Sequence, residues 1–188
     1  LGNSYKDTNK LNEAIQSYQK AIEITPNYPA LYNNLGNAYK DLGQLKKALI
    51  TYSKGLKIDP ESLDLLNNLG VVFNELAQPN DAVKQLKKAI VIKPDYAEAH
   101  NNLGVAFNKL NEHENAIKAY ETALKINPDF PDPYNNLTVV YRKQGRINDV
   151  IGSFNKAIVS MNKFLSKNSQ DADTLNNLGI AYTEIESL

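Results

Sequence analysis

The sequence predicts an all-α solenoid, a stack of short helix pairs. Three observations predict it. Glycine recurs at residues 2, 36, 70 and 104, each 34 after the last, and Thr138 takes the next slot. An aromatic follows each slot by three residues: Tyr5, Tyr39, Phe73, Phe107, Tyr141 and, after Gly179, Tyr182. Proline stands at 26, 60, 94 and 128, again 34 apart. Self-similarity at such a period marks an array of repeated units.

Each repeat is numbered so that the glycine slot is position 8. At the helical angle of about 100° per residue, positions 4, 7, 8 and 11 share one stripe. They are apolar or small except at His100 and Thr138, so they form helix A. Position 15 holds Asn9, Gly43, Ala77, Asn111 and Gly145. Gly and Asn tolerate the left-handed backbone that ends a helix, so a turn is expected there. Positions 20, 24 and 27 make a second stripe, such as Ala48, Tyr52 and Gly55, and form helix B. The proline just beyond it stops that helix. The units are a partial one at 1–28, complete ones at 29–62, 63–96 and 97–130, an extended one at 131–171 and a partial one at 172–188, giving about 11 helices. A chain that starts and stops inside a motif is expected to be a fragment of a longer one. A glycine inside a helix costs about 1 kcal/mol against Ala. Its recurrence implies that helix B backbones cross close to helix A.

Gly179 lies 41 residues after Thr138, an insertion of seven between Phe154 and Asn176. Seven residues are two helical turns with little angular drift. Helix B of the fifth unit can therefore lengthen to about Lys167 and project beyond its neighbours, with Ser169 or Asp171 capping the next helix. A loop in the linker is the alternative.

The landmarks resemble the tetratricopeptide repeat family, whose pattern runs W-x2-L-G-x2-Y, then A-x3-F, then P, at 34 residues. The resemblance covers the whole chain. It departs in Tyr, Leu or His for the Trp, in Thr138 for Gly, and in the missing proline of the fifth unit. It implies two antiparallel helices per unit, stacked as a right-handed superhelix. It also implies that helix A lines an inner, concave groove.

Two adjacent amides recur before each glycine slot. Position 5 holds Asn33, Asn67, Asn101, Asn135 and Asn176; position 6 holds Asn34, Asn68, Asn102, Asn136 and Asn177. Asn is a mediocre helix former, so helix propensity does not explain the rows. Both rows lie on the side of helix A away from its buried stripe. An amide offers an acceptor and two donors, which match the C=O and N–H of an extended peptide. The rows are candidate peptide-binding residues, with Asn37, Val71, Val105 and Val139 at position 9 turning the groove from polar to apolar. Bonding between neighbouring helices is the alternative role, and general Asn enrichment would explain position 5 nearly as well. Position 2 is mostly acidic (Asp64, Glu98, Asp132, Asp173), whereas positions 12 and 13 carry Lys and Arg among acids. No single-sign field is expected in the groove.

Two relatives within the family bear on the partner. Co-chaperone members clamp the carboxylate of heat-shock proteins with basic side chains. The corresponding slots here read Asn33, Asn37, Asn68, Glu98 and Asn102, so that clamp is not expected. The superhelical arm of O-linked N-acetylglucosamine transferases is similar in repeat length, "NLG" phrase and asparagine ladder. The best reading is a non-catalytic scaffold for an extended peptide or protein segment. A recognition arm of a larger enzyme such as an O-linked glycosyltransferase is the alternative, and end-to-end self-association is a third expectation.

Other chemistry finds little support. The 188 residues hold 21 basic and 21 acidic side chains, which argues against a nucleic-acid track. With no Cys there is no disulfide, thiol nucleophile or thiolate metal site. His100 reads as a packed stripe residue and His113 as a solvated turn residue, so no metal site, cofactor or catalytic residue is expected. No apolar run approaches the ~18 residues of a membrane span, and no signal peptide is visible. Asn136-Leu137-Thr138 matches a glycosylation sequon but lies mid-helix, so modification is not expected. Nothing in the residues names a compartment; the cytoplasm is the favoured expectation.

Overall fold

A computed structural model describes residues 2–166 together with 169, 175, 178, 179 and 182, with the backbone alone at 2–9 and at Phe164. The described residues form nine α-helices and no strands. They divide between two compact units, Leu1–Pro94 and Asp95–Leu188. The first holds α1 (Gly2–Ile24), α2 (Pro29–Asp41), α3 (Leu45–Ile58), α4 (Leu63–Glu75) and α5 (Pro79–Ile92). The second holds α6 (Ala97–Lys109), α7 (His113–Ile126), α8 (Pro131–Lys143) and α9 (Ile147–Leu165). None of these helices is long and apolar enough to cross a membrane.

Within each unit, consecutive helices pack on one another, and the A helices also meet: α2 with α4, and α6 with α8. The A-to-B turns share one geometry. Gly43, Ala77, Asn111 and Gly145 have φ of 70°, 56°, 60° and 69°. Each donates its N–H to the carbonyl three residues back, and the following residue donates to the carbonyl of the position-11 aromatic. Gln44 bonds Tyr39 at 2.8 Å, Gln78 bonds Phe73 at 2.8 Å, Glu112 bonds Phe107 at 2.9 Å and Arg146 bonds Tyr141 at 2.9 Å. This is the Schellman closure, which satisfies carbonyls the helix leaves open. The B helices stop differently. Asp59, Lys93 and Asn127 are extended, with φ of −129°, −132° and −131°. Each precedes a proline, whose ring disfavours the helical conformation in its predecessor.

The first repeat departs from expectation. No turn forms at Asn9, and residues 2–24 are one helix. The segment holds no proline and no glycine after Gly2, so nothing in the chain forces a break. The expected count of 11 falls by one there, and the expected last helix A lies largely outside the described residues.

The glycine slot also needs correcting. What approaches it is a side chain of helix B, not the helix B backbone. A Cβ at Gly70 would stand 2.6 Å from Leu86 Cγ, and one at Gly104 would stand 2.5 Å from Tyr120 Cε1; Gly36 meets Tyr52 in the same way. Tyr52, Leu86 and Tyr120 are almost fully buried there. In the fifth repeat Thr138 is buried, its hydroxyl donating to the Tyr134 carbonyl at 3.0 Å.

Helix α9 runs 19 residues against 14 for α3, α5 and α7, so the insertion lengthens helix B. Val150, Phe154, Ala157 and Met161 stay on one buried face and join one core with Tyr120, Leu137 and Tyr141. The helix gains five of the seven inserted residues, and Met161 continues the buried stripe at helical spacing from Val150, Phe154 and Ala157. Lys163 then pairs with Asp129 at 2.7 Å, tying the added turns to the loop before α8. Asp171 lies outside the described residues.

Two stability changes are expected. Gly70→Leu forces an overpacked contact with Leu86 and costs about 1–3 kcal/mol or more, read as a lowered melting temperature. An unchanged melting temperature would contradict the contact. Ala77→Gly relieves a left-handed alanine, which costs about 1–2 kcal/mol, against about 0.5–1 kcal/mol of added unfolded-state entropy. Urea unfolding should show a net gain of roughly 0.5–1 kcal/mol.

Candidate peptide-binding face

Helices α2 and α4 bring their amides together in the first unit. Asn68 Nδ2 donates to Asn33 Oδ1 at 2.9 Å and to Asn37 Oδ1 at 3.3 Å. Asn37 Oδ1 also accepts from the Tyr52 hydroxyl at 2.6 Å. In the second unit, Asn136 on α8 donates to Asn101 Oδ1 on α6 at 3.0 Å. The rule is the same in both: position 6 donates to position 5 of the preceding repeat. The partners are 35 residues apart, one more than the period. That single extra residue explains why the amides come as adjacent pairs. One supplies the acceptor for the next repeat, and its neighbour supplies the donor to the repeat before.

Lys143 Nζ follows the same spacing, donating to Asn108 Oδ1 at 3.4 Å. The Tyr32 and Tyr134 hydroxyls at position 4 donate to the Pro26 and Pro128 carbonyls at 2.8 and 3.4 Å, bracing the chain after the preceding B helix. These contacts were not anticipated from the sequence. Their signal was there, in the pairing of a residue with one 35 or six positions away, but the single-helix projection does not display it.

The remaining candidates divide by exposure. Asn34 is exposed, whereas Asn33, Asn37, Asn68, Asn102, Asn135 and Asn136 are half-buried. Asn67 and Asn101 are buried. Val71 and Val105 are half-buried, and Val105 packs against the second unit's core. Val139 is 48% exposed. Asn176 and Asn177 lie outside the described residues. Asn67 and Asn102 also have interaction partners.

Burial pushes the Tyr52 phenol well above its ordinary range, and the Asp41 and Glu75 carboxylates push it further. The group stays protonated and keeps donating to Asn37. Charges on the A helices are mixed: Asp41, Asp64 and Glu75 with Lys40 in the first unit, Glu98 and Asp132 with Lys109, Arg142 and Lys143 in the second. Three slots of the carboxylate clamp, Asn33, Asn37 and Asn68, bond to one another, and the fourth, Glu98, is an exposed acid. Among the described residues, no group of three His, Asp or Glu could hold a metal ion.

Paired helices closed by one repeated cap, with a small-residue slot under a large side chain, define a helical-repeat protein. The chain belongs to the tetratricopeptide repeat family. Its "TPR repeat" pattern matches residues 2–43, 36–76 and 78–111, and "Tetratricopeptide repeat" patterns match 97–130 and 119–151. Solved structures share the fold. The crystal structure of MamA is 26% identical, with a TM-score of 0.74 over 88% of this chain and 97% of that one. YrrB, described as a TPR protein with an unusual peptide-binding site, is 25% identical, with a TM-score of 0.65 over 84% and 81%. TTC0263, a thermophilic TPR protein of Thermus thermophilus, is 21% identical, with a TM-score of 0.74 over 97% and 96%. A comparison with curated proteins finds no match.

Asn68→Ala removes two bonds and strands the Asn33 acceptor, so it should cost roughly 1–2 kcal/mol. Asn34→Ala, exposed and outside the amide pairs, should cost under about 0.5 kcal/mol. Equal costs in urea unfolding would contradict the pairing.

Proposed function

We infer that this chain is a non-catalytic scaffold that holds an extended peptide or protein segment on the A-helix faces. The observation that carries the reading is the amide row on adjacent A helices, ordered by its own hydrogen bonds yet only half-buried. Fixed amides suit recognition because their rotamers are set before a partner arrives. In this reading the helix pairs are antiparallel and the A helices line the groove of a right-handed superhelix, as in the family. Asn68 spends both N–H groups on Asn33 and Asn37 and offers Oδ1 to a peptide N–H. Asn136 spends one N–H on Asn101 and offers the other and its Oδ1. Asn34 and Asn102 complete the row, and Val71, Val105 and Val139 set an apolar preference. The described peptide-binding site of YrrB is in keeping with a peptide partner.

Peptide arrays test it. Wild type is compared with an Asn68→Ala, Asn102→Ala, Asn136→Ala variant of verified fold. Because these amides also join repeats, Asn34→Ala and Val139→Asp serve as variants outside the pairs. At about 1 kcal/mol for each lost bond, the triple variant should bind at least about tenfold more weakly. Asn34→Ala should weaken binding several-fold. Binding unchanged in all three variants would refute the reading and leave the amides a purely structural device.

A further inference from the structure

Helix α5 carries a second surface, away from the amides. Its buried side is Ala82, Leu86 and Ala89. On the opposite side lie Lys84, Lys87, Lys88, Val91 and Ile92, at the spacing of one helical face, and all five are exposed. Val91 is 80% exposed and Ile92 41%. Among the described residues no carboxylate pairs with Lys84 or Lys88. The same residues, with Pro60 and Glu61 of the α3–α4 loop, border a shallow, open depression. Helices α3 and α5 together hold seven Lys and one acid, Asp81. The corresponding face of α7 mixes Lys118 and Lys125 with Glu121, so the basic face is a property of this part of the chain and not of the repeat pattern.

Two exposed aliphatic side chains beside three lysines suit a partner with both features. We propose that this face docks an acidic protein segment, with an aliphatic or aromatic side chain seated in the depression between Pro60 and Val91. Its carboxylates lie along Lys84, Lys87 and Lys88. The charge complementarity selects the sign of the partner and steers its approach. Glu61 at the edge of the depression favours a discrete segment over a flat anionic surface, because its carboxylate repels a uniform negative plane. The site is separate from the A-helix face, so it stands whether or not that face binds peptides.

The test uses fluorescein-labelled peptides with three acidic residues at helical spacing and one Leu or Phe. Controls exchange the acids for Lys or the anchor for Gly. Fluorescence anisotropy with the full 188-residue chain should show binding of the acidic, anchored peptides that weakens with salt. A Lys84→Glu, Lys87→Glu, Lys88→Glu variant should lose about tenfold or more, and Val91→Asp should also weaken binding. Asn68→Ala should leave it unchanged. The substituted residues of α5 are exposed, and circular dichroism on each variant verifies the fold. The proposal is overturned if acidic peptides bind no better than basic ones, or if the α5 variants bind as wild type does. It is equally overturned if Asn68→Ala abolishes the binding, or if phosphatidylserine vesicles are retained and the peptides are not.

Discussion

In α2, α4 and α6 the approach of helix A to its own helix B is set by a missing side chain. At Gly36, Gly70 and Gly104 the space a Cβ would occupy is taken by Tyr52, Leu86 and Tyr120. Each large side chain is thereby sunk against the A-helix backbone and almost fully buried. The rest of each repeat hangs on that contact. The left-handed residue at position 15 turns the chain so that the two stripes can meet, and the extended residue before proline releases the chain into the next repeat. An inserted Cβ would push the stripes apart, and helices of 13 or 14 residues are too short to stand alone in water.

Between repeats the amides add a polar join to an apolar one. The apolar cores carry most of the burial energy, but shape alone tolerates sliding of one helix along another. A hydrogen bond from Asn68 to Asn33, or from Asn136 to Asn101, is met only when adjacent A helices sit one residue out of phase with the period. A half-buried amide left without its partner carries a desolvation cost, so the join penalises other arrangements. The same bonds hold the amides at fixed orientations on a partly exposed surface. In the proposed reading architecture and recognition draw on one set of atoms, so that variants at Asn68 and Asn136 report on both, while Asn34 and Val139 report on recognition alone.

Position 9 shows how one slot can be used in two ways. Asn37 accepts from Tyr52 and Asn68 and so links helix A, helix B and the next repeat. Its counterparts Val71, Val105 and Val139 forgo that link and offer apolar surface instead. The exposed basic side of α5 is a third element with its own logic. Its lysines lie opposite Leu86, on a side that no other helix of the first unit covers. The lysine side chains there are exposed and take no part in the core.

The sequence by itself determined the repeat, the stop signals and the buried stripes. The left-handed turns at Gly43, Asn111 and Gly145, the prolines and the lengthened α9 are local effects, and local backbone preference is written residue by residue. It also showed that the amides recur; it turned both rows away from the core, whereas Asn67 and Asn101 of the position 5 row are buried. Only the tertiary structure decided what the glycine slot touches, that Asn9 starts no turn, and which amide bonds which. The first and last of those outcomes depend on atoms from different helices meeting across 16 or 35 residues of chain. A helical projection gives the direction in which a side chain points. It carries no account of the neighbour on the other side, and hydrogen bonds and close contacts are properties of both.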